Sequence, residues 1–229
     1  MTDRRPRTRN HLDRDEVWQA IDAQRISLTG LLQQLADDEW QQPSLCDGWT
    51  VRDVAAHLTL QQVGLANAIA MIIRGRGDLD RATRDAARRR AATMPAEQII
   101  AEIRAMVGSR RHNAGVTCQE TLIDILVHGQ DIAIPLGRRH DIPPEAAATA
   151  LNRIWTMRWP PPFPATRKLE GFCLTATDTS WTIGDGPDVQ APISTLLLLC
   201  TGRPTALAHL SGKGAHALTT RLTTIQAPS

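Results

Sequence analysis

One carboxylate and one histidine, Asp124 and His128, stand four positions apart in an otherwise apolar stretch of the chain. On a helix this spacing brings both side chains to one face, where their polar ends can converge on one ion. Glu120 extends the same stripe by one turn, and Asp131 follows one turn later. Burying such groups costs several kcal/mol unless a partner offsets it. A divalent cation would satisfy all of them, so the stretch predicts a metal site.

A second histidine, His57, follows a Gly-Trp turn on what we expect to be the buried side of another helix. With Asp124 and His128 it would complete a set of three ligands and leave a position open for water or substrate. Three protein ligands with an open position are typical of catalytic zinc sites rather than structural ones. The spacing also permits simpler roles, since His57 can be a core residue and Asp124 can accept a hydrogen bond from His128.

The cysteines and the tryptophan near these positions are predicted to have structural rather than chemical roles. Cys46 and Cys118 are expected to be buried apolar residues rather than nucleophiles, and Trp49 is expected to anchor the core. The four cysteines lie far apart with no C-x-x-C pair, so neither a disulfide framework nor a zinc knuckle is predicted.

The helices that must carry the three ligands are predicted from apolar periodicity and capping signals. A first amphipathic helix is predicted within residues 13–35, with Ile26 among its apolar positions. A second begins after Thr50, where Asp53 approximates a capping box. We expect this helix to run through Gln61 toward Ile72 and Ile73 and to end near the glycines of RGRGD.

Three further helices complete the predicted bundle. One follows Pro95, one begins at Thr117 and stops before Pro135, and one covers residues 143–155 with proline at its entry. The basic cluster at residues 88–90 is interpreted as part of a solvated connector. Together these helices predict an up-down bundle over residues 12–155.

The sequence changes character after the prolines at 160–162 and Pro164, which predict a stiff linker. Beyond it, alternation between residues 171 and 189 predicts a hairpin-like pair of strands. The segment ISTLLLLCTG predicts a short buried helix closed by Gly202. The expected fold class is therefore mainly α, an up-down four-helix bundle followed by a small α+β domain over residues 165–225.

Composition and charge exclude several classes of function. The chain carries 26 Lys and Arg against 24 Asp and Glu, and a net charge of +2 is too weak to indicate a nucleic-acid partner. The first dozen residues lack the apolar centre of a signal peptide, and no apolar run approaches the roughly 18 residues of a membrane span. We therefore expect a soluble, cytoplasmic protein without a nucleic-acid or membrane partner.

Three blocks of the sequence resemble those of the mycothiol-dependent maleylpyruvate isomerase family, which belongs to the DinB-like metal-binding four-helix bundles. The blocks are LCDGWTVRDVAAHL, ETLIDILVHGQDIAIPLGR and LTATDTSWTIGDGPDVQAPISTLLLLCTGR. The resemblance implies a divalent metal, usually zinc, held by His57, Asp124 and His128. It also implies that water or the thiol of mycothiol takes the open position and that a small α+β domain follows the bundle.

The carboxylate ligand is one departure from the family. The isomerase itself carries glutamate where this chain has Asp124, which is shorter by one methylene. A metal would then lie nearer the helix, or Glu120 would swing in. The resemblance therefore supports a metal site more firmly than it supports maleylpyruvate as the substrate.

Two functions are predicted from these features. In the first, the metal lowers the pKa of the mycothiol thiol, and the thiolate adds to a small electrophilic substrate in an isomerisation or an S-transfer. Asp131 or Glu120 would orient a metal-binding histidine through its other ring nitrogen. Arg203 would bind a carboxylate of the thiol or substrate, unless it pairs with the end of its own helix. In the second, the chain is a non-catalytic, metal-containing protein that binds a ligand or a partner.

Overall fold

The computed structural model describes residues 11–62, 79–158 and 161–226. Its elements form two compact units, one over Arg14–Ile142 and the other combining Met1–Asp13 with Pro143–Ser229. The structure is mainly helical with one three-stranded sheet, which confirms the predicted fold class. The domain limits of 12–155 and 165–225 stay a prediction.

The first unit is a bundle of helices that bury their apolar faces against one another. The helices are α1 (Arg14–Leu32), α2 (Val51–Leu58), α3 (Leu79–Thr93), α4 (Ala96–Ala105) and α5 (Cys118–Ala133). Helix α1 packs against α4 and α5, whereas α2 packs against α3, α4 and α5. The residues that later form the candidate site lie on α2 and α5, which contact each other directly.

The apolar face of α1 agrees with the predicted periodicity except at one position. Val17, Ile21, Leu28 and Leu32 are buried, but Ile26 is 59% exposed. Placing Ile26 in the core was therefore wrong. With 3.6 residues per turn, Ile26 lies roughly 140° around the helix from Ile21.

Two capping boxes set the starts of α2 and α5. Thr50 accepts a hydrogen bond from the backbone of Asp53, whose carboxylate accepts one in return from the backbone of Thr50. Thr117 and Glu120 make the same reciprocal pair at the start of α5. Both predicted helix starts are confirmed, and each cap satisfies backbone donors that a helix end leaves unpaired.

Helix α2 is shorter than predicted. It ends at Leu58, and the chain continues through turns in which the backbone amides of Leu60 and Gln61 bond to the carbonyls of His57 and Leu58. The prediction that the helix includes Gln61 was wrong, because these bonds span three residues rather than the four of an α-helix. Its predicted course toward Ile72, Ile73 and the RGRGD glycines lies outside the described residues.

The basic cluster at 88–90 belongs to helix α3 and is not a connector, so that interpretation was wrong. Alanine and arginine are among the strongest helix formers. Ala82, Ala87 and Ala91 form the buried side of the helix, while Arg90 pairs with Glu102 of α4. The small alanines allow α3 to approach α2, and the arginines remain on its outer side.

The second unit combines helices with a small sheet. Its elements are α6 (Pro144–Thr156), α7 (Pro164–Lys168), β1 (Cys173–Ala176), β2 (Thr182–Ile183), β3 (Asp188–Ala191), α8 (Ile193–Cys200) and α9 (Ala215–Gln226). Pro164 begins α7 and is therefore not part of a linker as predicted, because proline is favoured in the first helical turn. Pro160 of the predicted linker lies outside the described residues.

The predicted strand pair is present and gains a third strand. β1 and β2 are antiparallel, with Leu174 opposite Ile183, and β3 lies parallel to β1 on its other side, with Leu174 opposite Val189. Helix α8 follows as expected, and Gly202 after it adopts a φ of 83°, the left-handed conformation typical of a helix end. Among the described residues, no helix has the length and apolar character needed to cross a membrane.

Two helical glycines of the bundle should respond oppositely to alanine. A Cβ on Gly129 would lie 2.5 Å from ring atoms of His140, whereas a Cβ on Gly30 would meet nothing within 4 Å. His140 is only 6% exposed, so its ring has little room to move. We expect Gly129→Ala to lower the free energy of unfolding by about 1–3 kcal/mol through overpacking. We expect Gly30→Ala to raise it by about 0.5–1 kcal/mol through reduced chain entropy.

Chemical denaturation of both variants, followed by circular dichroism, tests this pair. If the Gly129→Ala and Gly30→Ala proteins unfold at midpoints shifted equally and in the same direction from wild type, Gly129 is not closely packed against His140.

Candidate metal centre

Three side chains from α2 and α5 converge in the first unit. Nε2 of His57 and Nε2 of His128 each lie 3.2 Å from the same carboxylate oxygen, Oδ1 of Asp124. The two imidazole rings are 4.8 Å apart between centroids and nearly perpendicular, at 78°. The structure therefore brings together the three residues named from the sequence. These distances also permit hydrogen bonds, so metal binding by this set stays a proposal.

The geometry follows from two local features of the chain. Asp124 and His128 are four residues apart on α5, so their side chains share one helix face. His57 lies in the last turn of α2, about two turns after the Thr50 cap. All three side chains are half-buried, with 16–27% of each side chain exposed. The cluster is therefore partly shielded from water and still reachable from outside.

His128 is held from its other side by a buried carboxylate. Its Nδ1 lies 2.8 Å from Oδ2 of Asp131, whose side chain is fully buried. A carboxylate against the second ring nitrogen fixes the ring orientation and increases its basicity as a ligand. This is the arrangement that was considered for Asp131 from the sequence.

Cys46 joins this second contact. Its thiol donates to Oδ2 of Asp131 at 3.1 Å, and its sulfur lies 3.7 Å from Nδ1 of His128. Cys46 is half-buried, whereas Cys118 is buried as expected. Cys46 therefore has polar contacts beside the candidate site and is more than the apolar filler predicted. Its position before the Gly-Trp turn was the only sequence signal.

His57 has a different environment from His128. The indole of Trp49 meets its ring edge-on, with centroids 5.5 Å apart at 73°. Its Nδ1 is buried and has no hydrogen-bond partner among the described residues. Trp49 is half-buried and contacts a candidate ligand, so it does more than anchor the core. Aromatic packing orients His57, whereas a carboxylate orients His128.

Gln61 is a contact that sequence reasoning missed. Its side-chain amide donates from Nε2 to Oδ2 of Asp124 at 2.8 Å. It lies four positions after His57, a spacing that suggests proximity on a continuous helix, but the chain has already left α2 at this point. Only the three-dimensional structure shows that Gln61 reaches the cluster.

Two further candidates have hydrogen-bond partners close to them in sequence. The carboxylate of Glu120 accepts hydrogen bonds from the backbone amide and the hydroxyl of Thr117, at 2.7 and 2.6 Å, so it belongs to the cap of α5. Arg203 belongs to the second unit, where its guanidinium donates to the carbonyl of Thr201 at 2.7 Å. Thr201 follows the last turn of α8, which agrees with the alternative that Arg203 pairs with a helix end.

The cluster is strongly coupled electrostatically. Burial alone raises the pKa of Asp124, but the charges and hydrogen bonds of His57 and His128 outweigh it and hold this pKa well below its usual range. Burial alone lowers the pKa of His128. The charge and hydrogen bond of Asp124, together with the hydrogen bonds of Asp131 and Cys46, outweigh burial and hold this pKa well above its ordinary value. Both shifts favour the ionised form of Asp124 and the protonated form of His128.

The donor set suits a divalent transition metal. Two imidazole nitrogens and one carboxylate oxygen lie within 4.8 Å of one another, and all three are ligand types that zinc accepts. Cys46, His128 and Asp131 form a second such group, which shares His128. In that group the contacts of 2.8 and 3.1 Å are hydrogen bonds to one buried oxygen. We therefore interpret it as the support of His128.

The bundle and its cluster define a helical protein with a candidate site of two histidines and one carboxylate between two helices. Comparison with known protein families identifies which of them this protein resembles. Residues 21–115 match the family model for the mycothiol maleylpyruvate isomerase N-terminal domain. This segment includes His57 and Gln61 but ends before α5.

Comparison of folds agrees with that match. The structure is similar to crystal structures of the mycothiol-dependent maleylpyruvate isomerase and of a variant with one histidine replaced by alanine. Each comparison has a TM-score of 0.59 and covers 89% of this chain and 94% of the other, at 15% and 16% sequence identity. The resemblance stated from the sequence is confirmed. A search among curated protein sequences gave no match.

Proposed function

We propose that this protein is a metal-dependent, thiol-using enzyme that acts on a small electrophilic substrate as an isomerase or an S-transferase. The observation that carries the proposal is the convergence of Nε2 of His57, Oδ1 of Asp124 and Nε2 of His128. The family match over residues 21–115 and the shared fold support mycothiol as the thiol. A cytoplasmic location suits this use, because small thiols are kept reduced there.

His57, Asp124 and His128 would hold the metal, for which zinc is the best match to the donor types. A divalent metal at this site would lower the pKa of a bound thiol and so supply thiolate at neutral pH. The negative charge of Asp124 offsets part of the positive charge of the ion. Asp131 holds His128 through Nδ1, so that Nε2 is the nitrogen left to face Asp124.

Three protein donors leave room for a thiol beside them, which a structural site with four protein ligands would not. Helices α1, α2, α4 and α5 bury apolar side chains against one another, and such packing supplies most of the stability of helices in proteins. We therefore expect the metal-free protein to remain helical with a modest loss of thermal stability.

Cobalt-substituted protein provides the test. Addition of mycothiol should produce a sulfur-to-cobalt charge-transfer band, and simpler thiols should produce it only at higher concentration. In parallel, metal-loaded and metal-free protein are compared for thiol-dependent turnover of maleylpyruvate and of other small electrophiles. A band with thiol-dependent turnover supports the proposal. Protein that contains cobalt but shows no absorbance change with any thiol would favour a non-catalytic binding protein instead.

A further inference from the structure

The two oxygens of Asp124 have different partners. Oδ1 faces Nε2 of His57 and of His128, whereas Oδ2 accepts a hydrogen bond from Nε2 of Gln61 at 2.8 Å. Gln61 is 4% exposed, so water competes little for this bond. A carboxylate with both oxygens available can bind a metal through either one or two of them. In this protein one oxygen is already engaged.

Gln61 is itself held by a fully buried arginine of α1. Arg25 donates from Nη2 to Oε1 of Gln61 at 3.1 Å and from Nη1 to the carbonyl of Met106 at 2.7 Å. Asp22 lies 3.5 Å from Nη1 and offsets part of its charge. Burying a guanidinium costs free energy that an apolar side chain of similar volume would not. Packing of α1 alone therefore does not explain an arginine at this position.

The chemistry of these partners determines the orientation of the Gln61 amide. A guanidinium has only donors, so it must face the amide oxygen, and an ionised carboxylate has only acceptors, so it must face the amide nitrogen. Both neighbours thus favour the same orientation. If the amide were reversed, it would place two donors together at Arg25 and two acceptors together at Asp124.

We propose that Gln61, oriented by Arg25, is a positioning residue that restricts Asp124 to binding the metal through Oδ1 alone. This inference rests on the proposed function, because it requires a metal at His57, Asp124 and His128. The buried bond from Gln61 to Oδ2 holds the carboxylate in the orientation that presents Oδ1 to the two histidines. The position that the thiol needs therefore stays open. Without Gln61, the carboxylate can turn both oxygens toward the ion and occupy that position.

Two substitutions of Gln61 separate this role from packing. Gln61→Met keeps the length of the side chain and removes both hydrogen bonds. Gln61→Glu keeps an acceptor for Arg25, which favours the ionised form, and replaces the donor to Asp124 with a second negatively charged acceptor. Gln24→Met is the matched control, since Gln24 is also 4% exposed and donates to the backbone carbonyl of Asp141, away from the cluster.

The experiment compares the four proteins, wild type included, after cobalt substitution. Visible ligand-field absorption per cobalt falls as the number of ligands rises, and loss of packing alone would not change it. We expect both Gln61 variants to absorb several-fold less per cobalt than wild type. We expect them to bind thiol about 10- to 100-fold more weakly, the range typical of residues that support metal ligands. Gln24→Met should match wild type in both respects.

The outcomes distinguish this inference from the proposed function. Wild-type spectra and thiol affinity in both Gln61 variants would overturn the positioning role while leaving the metal site intact. Wild-type protein that takes up no cobalt, or that takes it up equally after His57→Ala, would overturn both. If Gln61→Met loses its helical circular dichroism, Gln61→Glu decides, because it retains the bond to Arg25.

Discussion

His57→Ala protein should retain far less metal than wild type, with an affinity lower by at least about 100-fold. Substitution of residues that merely support ligands costs roughly 10- to 100-fold, and loss of one of three ligands should exceed that range. The cavity left by His57 lies against Trp49, which offers no replacement donor. Elemental analysis after purification, followed by competition titration with a chelator, measures the effect.

His209→Ala is the matched control for this prediction. His209 is an exposed histidine of the second unit, and its loss should leave the metal content at that of wild type. Circular dichroism of both variants checks that the bundle is folded. A full complement of metal in His57→Ala would show that the ion is bound elsewhere and that the central proposal is wrong.

Substitutions of Asp124 should rank in the order aspartate, glutamate, asparagine for metal affinity. Asp124→Asn keeps the shape of the side chain but removes the charge that offsets the cation, so affinity should fall by about 10- to 100-fold. Asp124→Glu keeps the charge and adds one methylene, so its loss should be smaller. Metal titration of the two variants gives the ranking.

The exposed carboxylate of Asp141 supplies the control for charge. Its side chain is 81% exposed and pairs only with Arg139 among the described residues. Asp141→Asn removes one negative charge from the same unit and should leave metal affinity unchanged. An asparagine variant of Asp124 that binds metal more tightly than the glutamate variant would show that charge at this position is not what the ion requires.

Local sequence patterns predicted the parts of the site that lie within one helix. The four-residue spacing of Asp124 and His128 and the caps at Thr50 and Thr117 depend on backbone geometry alone, and all appear in the structure as expected. The same holds for the buried helix closed by Gly202. Such features require no knowledge of which helices pack together.

Contacts between distant segments were not predictable in this way. Arg25 looks like an ordinary charged position of an amphipathic helix, yet its side chain is fully buried. Gln61 reaches Asp124 because α2 ends early, and Cys46 reaches Asp131 through a loop. In each case the partner is chosen by helix packing, which the order of residues along one element does not reveal.

The donors of the candidate site come from parts of the chain that are far apart in sequence. His57 and Asp124 are separated by 67 residues, and Gln61 and Asp124 by 63. Bringing such positions together costs loop-closure entropy, a cost that the formation of a single helix does not carry. The site exists only where α2 and α5 pack against each other. A bound ion would therefore report that the two helices have docked.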